Sequence, residues 1–155
     1  MKRILTAVTA AALAIGASGS ALANKADDTL NIVWERELEN VDFYFNTARE
    51  GIIVSRLTWD GLLYRDPQSM EYVPLIAKSF EWVDNLTLKF EIKEGLTFHN
   101  GEKLDADDVV FTYNWVSDPA NGMKTQQNVS WIKSAEKTGP NTVQVNLKEP
   151  FPAAL

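Results

Sequence analysis

The sequence predicts a mixed α/β fold of the α+β kind, and three patterns predict it. Apolar and polar residues alternate through 79–82 and 86–92 on either side of Asp84 and Asn85, an amphipathic helix with an acidic start opens at Asp105, and residues 129–135 and 142–147 alternate around Gly139 and Pro140. A period of two puts the apolar side chains of a strand on one face, and a period of 3.6 gathers those of a helix into a stripe, so these segments need a shared core. Composition agrees, since 45% of residues are hydrophobic and five are Trp, whereas disordered chains are poor in aromatics.

The first segment stands apart from that core. Lys2 and Arg3 precede an uncharged apolar run over 4–15, and Ala21-Leu22-Ala23 has the small-x-small pattern of a signal-peptidase site, so residues 1–23 read as a cleavable signal peptide. As a membrane anchor the run is poor. Thr6 and Thr9 interrupt it and Gly16, Ser18, Gly19 and Ser20 follow, whereas a spanning helix needs about 20 mostly apolar residues. Cleavage of 23 of the 155 residues leaves 132, with 13 basic and 21 acidic side chains and a net charge of −8, because Lys2 and Arg3 depart. Export without any Cys fits a bacterial periplasm better than eukaryotic secretion, where small domains lean on disulfides. The triplets Asn85-Leu86-Thr87 and Asn128-Val129-Ser130 then read as accidental glycosylation patterns.

Along residues 24–155, a polar lead over 24–28 gives way to an expected strand over 29–34, with Leu30, Ile32 and Trp34 in alternation. Residues 35–46 have no clean period and predict an aromatic-rich loop. Over 48–64, Ile53 and Leu57 stand four apart and Ile52, Trp59 and Leu63 continue the stripe, which predicts a helix with Gly61 near its end. Asp66-Pro67-Gln68-Ser69 is a turn, and 72–77 reads as a connector around Pro74. In the hairpin that follows, Phe80, Trp82, Leu86, Leu88, Phe90 and Ile92 share one face, expected to be buried. Phe98-His99-Asn100-Gly101 makes a second turn, with Gly101 supplying the positive φ.

Asp105 reads as a helix N-cap with Asp107 and Asp108 in the first turn, and Val109, Val110, Tyr113 and Val116 form the inward stripe. Asp118-Pro119 ends that helix, because proline lacks an N–H and disfavours helical geometry in the residue before it. A polar loop over 120–128 leads to the last two strands, where Val143, Val145 and Leu147 face in. Pro152 ahead of Ala153, Ala154 and Leu155 has the form of a helix start, so the chain is expected to be the beginning of a longer one.

Several functions are disfavoured at once. Without Cys there is no thiolate zinc site or thiol nucleophile, and His99 alone cannot form a multi-histidine shell. A net charge of −6 for the whole chain, with no basic run, disfavours nucleic acid as a partner. No Gly-x-Ser-x-Gly elbow or phosphate-binding glycine loop occurs, and nothing in the spacing selects a catalytic pair from the 21 carboxylates. Asp105, Asp107 and Asp108 lack calcium-loop spacing and stand where a helix begins, so capping accounts for them better than a cation does. His99 abuts a turn, which predicts a structural role.

Residues 34–46 are different. Trp34, Phe43, Tyr44 and Phe45 lie beside Glu35, Arg36, Glu37 and Asn46 directly after a strand end, and aromatic surface with a few charges suits a zwitterionic or amphipathic small ligand. On composition alone, core aromatics with solvated charges fit equally well. Trp131, near Ser130 and Lys133, is a further candidate of the same kind. No metal or cofactor is expected.

One resemblance covers nearly all of residues 24–155. Ala77, Asp84, Thr87-Leu88, Phe90, Ile92-Lys93, then Glu94-Gly95-Leu96-Thr97-Phe98-His99-Asn100-Gly101 and residues 104–109, with Leu62-Leu63-Tyr64-Arg65-Asp66 and Val73-Pro74-Leu75 upstream and 143–150 downstream, resemble the bacterial extracellular solute-binding proteins of family 5. These serve ABC importers of oligopeptides, dipeptides and, in some members, nickel complexes. Val41-Asp42-Phe43 departs from the family's usual Leu-Asp-Pro. The resemblance implies that residues 24–155 are an incomplete N-terminal lobe of a two-lobed periplasmic-binding-protein type II fold, a periplasmic protein, monomeric when full length. It would capture a peptide or other small solute for ABC permease subunits in the inner membrane, without chemistry.

The resemblance also implies that the loop after the first strand borders the ligand cleft, which raises Trp34, Glu35, Arg36, Tyr44 and Asn46 as contacts. The Trp34 and Tyr44 rings would pack on the ligand, and Glu35 and Arg36 would pair with its termini. Binding by this stretch alone is expected to be weak or absent, because half a cleft leaves the ligand solvated. A secreted hydrolase and an extracellular ligand-sensing module are the alternatives. Turnover distinguishes the first, and a signalling or membrane segment downstream the second.

Overall fold

Alternation becomes a four-stranded antiparallel sheet, and the capped helix lies on part of it. The computed structural model describes residues 32–38 and 40–155. In chain order its elements are helix α1 (Arg49–Thr58), strands β1 (Leu63–Arg65), β2 (Tyr72–Pro74), β3 (Ala77–Asp84) and β4 (Thr87–Ile92), helix α2 (Ala106–Ser117), and strands β5 (Ile132–Lys137) and β6 (Thr142–Leu147), with two short 3-10 turns between α2 and β5. The chain divides after Glu35, and Arg36–Leu155 is the unit described below. No helix among the described residues is long and apolar enough to cross a membrane.

The sheet order is β3-β4-β6-β5, antiparallel throughout. Its core face follows the period-two pattern: Leu88, Phe90 and Ile92 of β4 and Val143, Val145 and Leu147 of β6 are all buried. Val109 and Val116 of α2 join the same cluster, with Tyr113 and Val110 packed against it. Asp105 caps α2 as expected: its carboxylate accepts from the Asp107 N–H at 3.0 Å, and the Asp108 carboxylate accepts from the Asp105 N–H at 2.8 Å. The Asp107 N–H, and after it Lys103, hold the Asp105 carboxyl below its ordinary range. Lys137 of β5 pairs with Asp107 at 2.6 Å, tying the start of the helix to the sheet.

The open edge of β5 is occupied by a side chain. Asn114 of α2 donates from Nδ2 to the Ala135 carbonyl and accepts from the Ala135 N–H through Oδ1, both at 2.8 Å. A primary amide thereby imitates one residue of a neighbouring strand, and edge groups left bare would otherwise template association.

Several regions differ from the sequence reading. Thr29, Leu30 and Asn31 of the expected first strand lie outside the described residues, as does the signal segment, and Ile32, Val33 and Trp34 carry no strand. The helix expected over 48–64 ends at Thr58, and Trp59 is extended at φ −127° and ψ 132°. The cause is tertiary: the Gly61 carbonyl accepts from Ile76, and that of Leu62 from Leu75 and Ala77, which holds the backbone out of the helix. The expected connector over 72–77 contains β2, which pairs with β1 around the Asp66 turn. That turn is held by Asp66, whose carboxylate accepts from the Gln68 and Ser69 N–H groups.

Trp82 and Leu86, expected to be buried with their hairpin, are exposed. Helix α2 packs on β5 and β6 rather than β3, so it does not cover the outer end of the hairpin. Val129 and Trp131 fall in turns ahead of β5 rather than in it. After Pro152 the chain makes a single turn, with the Ala154 N–H donating to the Phe151 carbonyl at 3.1 Å.

Candidate functional site

Beside α2 lies a cavity of about 380 Å³ whose wall is mostly apolar. Val109, Tyr113 and Val116 of α2 form one side, Gly61, Leu62 and Ile76 the second, and Val129, Trp131 and Ile132 the third. Tyr44 closes it from the N-terminal loop, Phe98 and Leu104 from the turn before α2, and Asp60 and Asp108 bring the charge. A volume in this range, with apolar walls and few polar groups, is typical of small-molecule sites, which run from about 300 to 1,000 Å³.

Each ring has a local reason for its place. The loop before α1 is stitched by short-range acceptors: Asn40 Oδ1 accepts from the Asp42 N–H at 2.8 Å, and Asp42 Oδ1 from the Tyr44 N–H at 2.9 Å. The Asp42 carbonyl accepts from Phe45 and Asn46, completing a turn, and the Thr125 hydroxyl donates to the Tyr44 carbonyl at 3.3 Å. Tyr44 is therefore held through both its N–H and its carbonyl. Trp131 donates its indole N–H to the Asn128 carbonyl at 2.8 Å and stacks on Phe151, with centroids 5.7 Å apart and planes 15° apart. Phe98 sits at the turn closed by the Gly101 N–H on its carbonyl at 2.9 Å, where Gly101 has φ 87°.

Burial, and then the nearby Asp42 carboxylate, push the Tyr44 hydroxyl above its ordinary value. Burial and the Tyr44 hydroxyl do the same for Tyr113, more strongly. Both therefore remain neutral phenols at any physiological pH.

The six residues singled out in the sequence are placed differently. Tyr44 and Trp131, 87 positions apart in the chain, meet at this cavity. Asn46 is buried and engaged locally: Oδ1 accepts from the Ala48 N–H at 2.8 Å and Nδ2 donates to the Asn40 carbonyl. Its amide lies against Gly51, where a Cβ would overlap it, so Asn46 serves to dock α1 on the loop. Arg36 is exposed and is not in the cavity wall. Trp34 is half-buried and Glu35 exposed, and both precede the unit that holds the cavity.

Tyr113, Phe98, Asp60 and Asp108 do not stand out as site residues in the sequence. A tyrosine in an otherwise valine stripe, at 109, 110 and 116, is the available signal for Tyr113. Asp60 has none, because its position depends on the chain leaving α1 early.

The profile of the bacterial extracellular solute-binding proteins, family 5 (Middle), matches residues 71–155. The chain is 32% identical to the peptide transport periplasmic protein SapA of Salmonella typhimurium, over 66% of this chain and 23% of that protein. Among solved structures it resembles NikZ of Campylobacter jejuni in complex with Ni(L-His), with TM-score 0.67 and 29% identity over 77% of this chain and 24% of the other. It also resembles the oligopeptide-binding protein AppA of Bacillus subtilis in complex with a nonapeptide, with TM-score 0.63 and 28% identity over 68% of this chain and 21% of the other. The chain thus spans no more than about a quarter of the length of these relatives, and its sheet and helices form part of their periplasmic-binding-protein type II fold. On the strength of the profile match, which covers more than half of its residues, the chain belongs to the bacterial extracellular solute-binding proteins, family 5.

Proposed function

We propose that this chain forms part of the N-terminal lobe of a periplasmic solute-binding component of an ABC importer, exported by residues 1–23 and delivering a peptide-like or other small solute to permease subunits. The observation that carries the reading is the apolar cavity framed by Tyr44, Tyr113 and Trp131 in a chain of a solute-binding family. Three aromatic faces and neutral hydroxyls suit retention of an amphipathic solute. SapA, named for peptide transport, and AppA, solved with a nonapeptide, support the peptide-like class.

In this reading the protein performs no chemistry: a second lobe closes over the solute about a hinge, and the permease recognises the closed monomer. Trp34, Glu35 and Arg36 contribute at the cleft border, and Asn46 acts by holding the loop that carries Tyr44.

The test is native mass spectrometry of the product of the complete reading frame, purified from periplasmic extract, with sequencing of its N-terminus. A retained small solute and an N-terminus at Asn24 are expected. Steady conversion of the solute to product, or a cytoplasmic protein that retains Met1, would overturn the proposal.

A further inference from the structure

We infer that the cavity selects an organic ammonium ion. The inference rests on the reading of the cavity as a solute site and adds the charge of the solute. Four of its wall residues are aromatic, Tyr44, Phe98, Tyr113 and Trp131, and its two charged residues, Asp60 and Asp108, are both carboxylates. No Lys, Arg or His is in the wall among the described residues.

Both features act with the same sign. An aromatic ring presents a negative quadrupole on its face, so a cation over several rings is favoured and an anion is not. Carboxylates at the wall add Coulomb attraction for the same cation, strengthened where apolar neighbours exclude water. The phenols of Tyr44 and Tyr113 stay protonated, so these two rings attract a cation through their neutral faces alone. Asp108 spends one oxygen on the Asp105 N–H at 2.8 Å, and a carboxylate accepts at two oxygens, so that bond leaves it capacity toward the cavity. The excess of 21 acidic over 13 basic side chains in residues 24–155 sets a negative background that raises the local concentration of cations.

A quaternary or protonated amine with an apolar surround is the solute that answers all of these together. A dicarboxylate, a phosphate ester or a sugar acid would meet carboxylates and ring faces with no counter-charge.

The experiment compares choline with 3,3-dimethylbutan-1-ol, which has the same shape without the charge. Each is titrated into the product of the complete reading frame, and the Trp131 indole N–H and Tyr113 ring resonances are followed by NMR at low and high salt. Saturable shifts with choline, at least about fivefold tighter than with the alcohol and with a preference that shrinks at high salt, are expected. In the double variant Asp60→Asn with Asp108→Asn, the amide oxygen introduced at the helix start can still accept the capping hydrogen bond, and the preference should fall toward that of the rings alone. Equal affinity for the two probes, or an unchanged preference in the double variant, overturns the ammonium assignment and leaves the cavity standing as a solute site. No saturable shift with either probe overturns both.

Discussion

Helix α1 and the central sheet strands β4 and β6 both begin from regular apolar patterns, yet only the strands bury their own. In β4 and β6 each apolar position of the alternation is buried, Phe90 to 2% exposure. In α1 the stripe points outward: Leu57 is 67% exposed and Ile53 is also exposed, as is Trp59 just beyond the helix end, while the buried positions are Gly51 and Ser55. A periodic pattern declares which face can be buried, and a partner of the right shape decides whether it is. The sheet finds its partner in α2. Helix α1 is instead held by its small face, where Gly51 admits the Asn46 amide.

Four substitutions press on that contrast. Phe90→Ala, in the middle of the sheet face, should cost about 3–5 kcal/mol and abolish cooperative unfolding or nearly so, as measured by urea denaturation. A loss under about 1 kcal/mol would place the centre of stability elsewhere. Gly51→Ala forces a methyl into the Asn46 side chain and should cost about 1–3 kcal/mol. Its chemical-shift changes should be confined to 40–58, and changes spreading into β4 and β6 would show that the two regions are not separate.

Asp105→Ala should lower the melting temperature by less, through loss of the α2 cap, and should leave the protein unresponsive to calcium. Because the folded Asp105 carboxyl titrates below its unfolded value, its contribution is present above about pH 4 and is lost as pH falls through the folded value. The gap between variant and parent should therefore close in acid. A gap that persists at about pH 2 would assign the effect to packing rather than to the charged cap. Leu57→Ser should change stability by no more than about 0.5 kcal/mol, as exposed positions do. A larger loss would reveal a partner for α1 in solution.

Legibility followed the range of the interactions involved. The β3–β4 hairpin, the α2 cap and the β6 strand are specified by neighbours in sequence, through side-chain alternation, turn chemistry and a carboxylate two residues from its donor, and they lie close to where the sequence places them. The end of α1 and the presence of β2 were not legible. Both depend on the carbonyls of Gly61 and Leu62 meeting the N–H groups of residues 75–77. At the candidate site, Tyr44 and Trp131 carried a composition signal, but Asp60 and Phe98 enter the wall only because separate segments converge there.

By itself, the sequence determined the mixed fold class, the face that β4 and β6 turn inward, the start of α2 and the family, because periodicity, capping and an ordered series of residues are all written along the chain. Tertiary structure alone decided which apolar stripe is buried, where α1 stops, and that Tyr44, Tyr113 and Trp131 share one cavity with two carboxylates. Those outcomes depend on which distant backbone groups and faces meet, and that competition is resolved only when the elements pack.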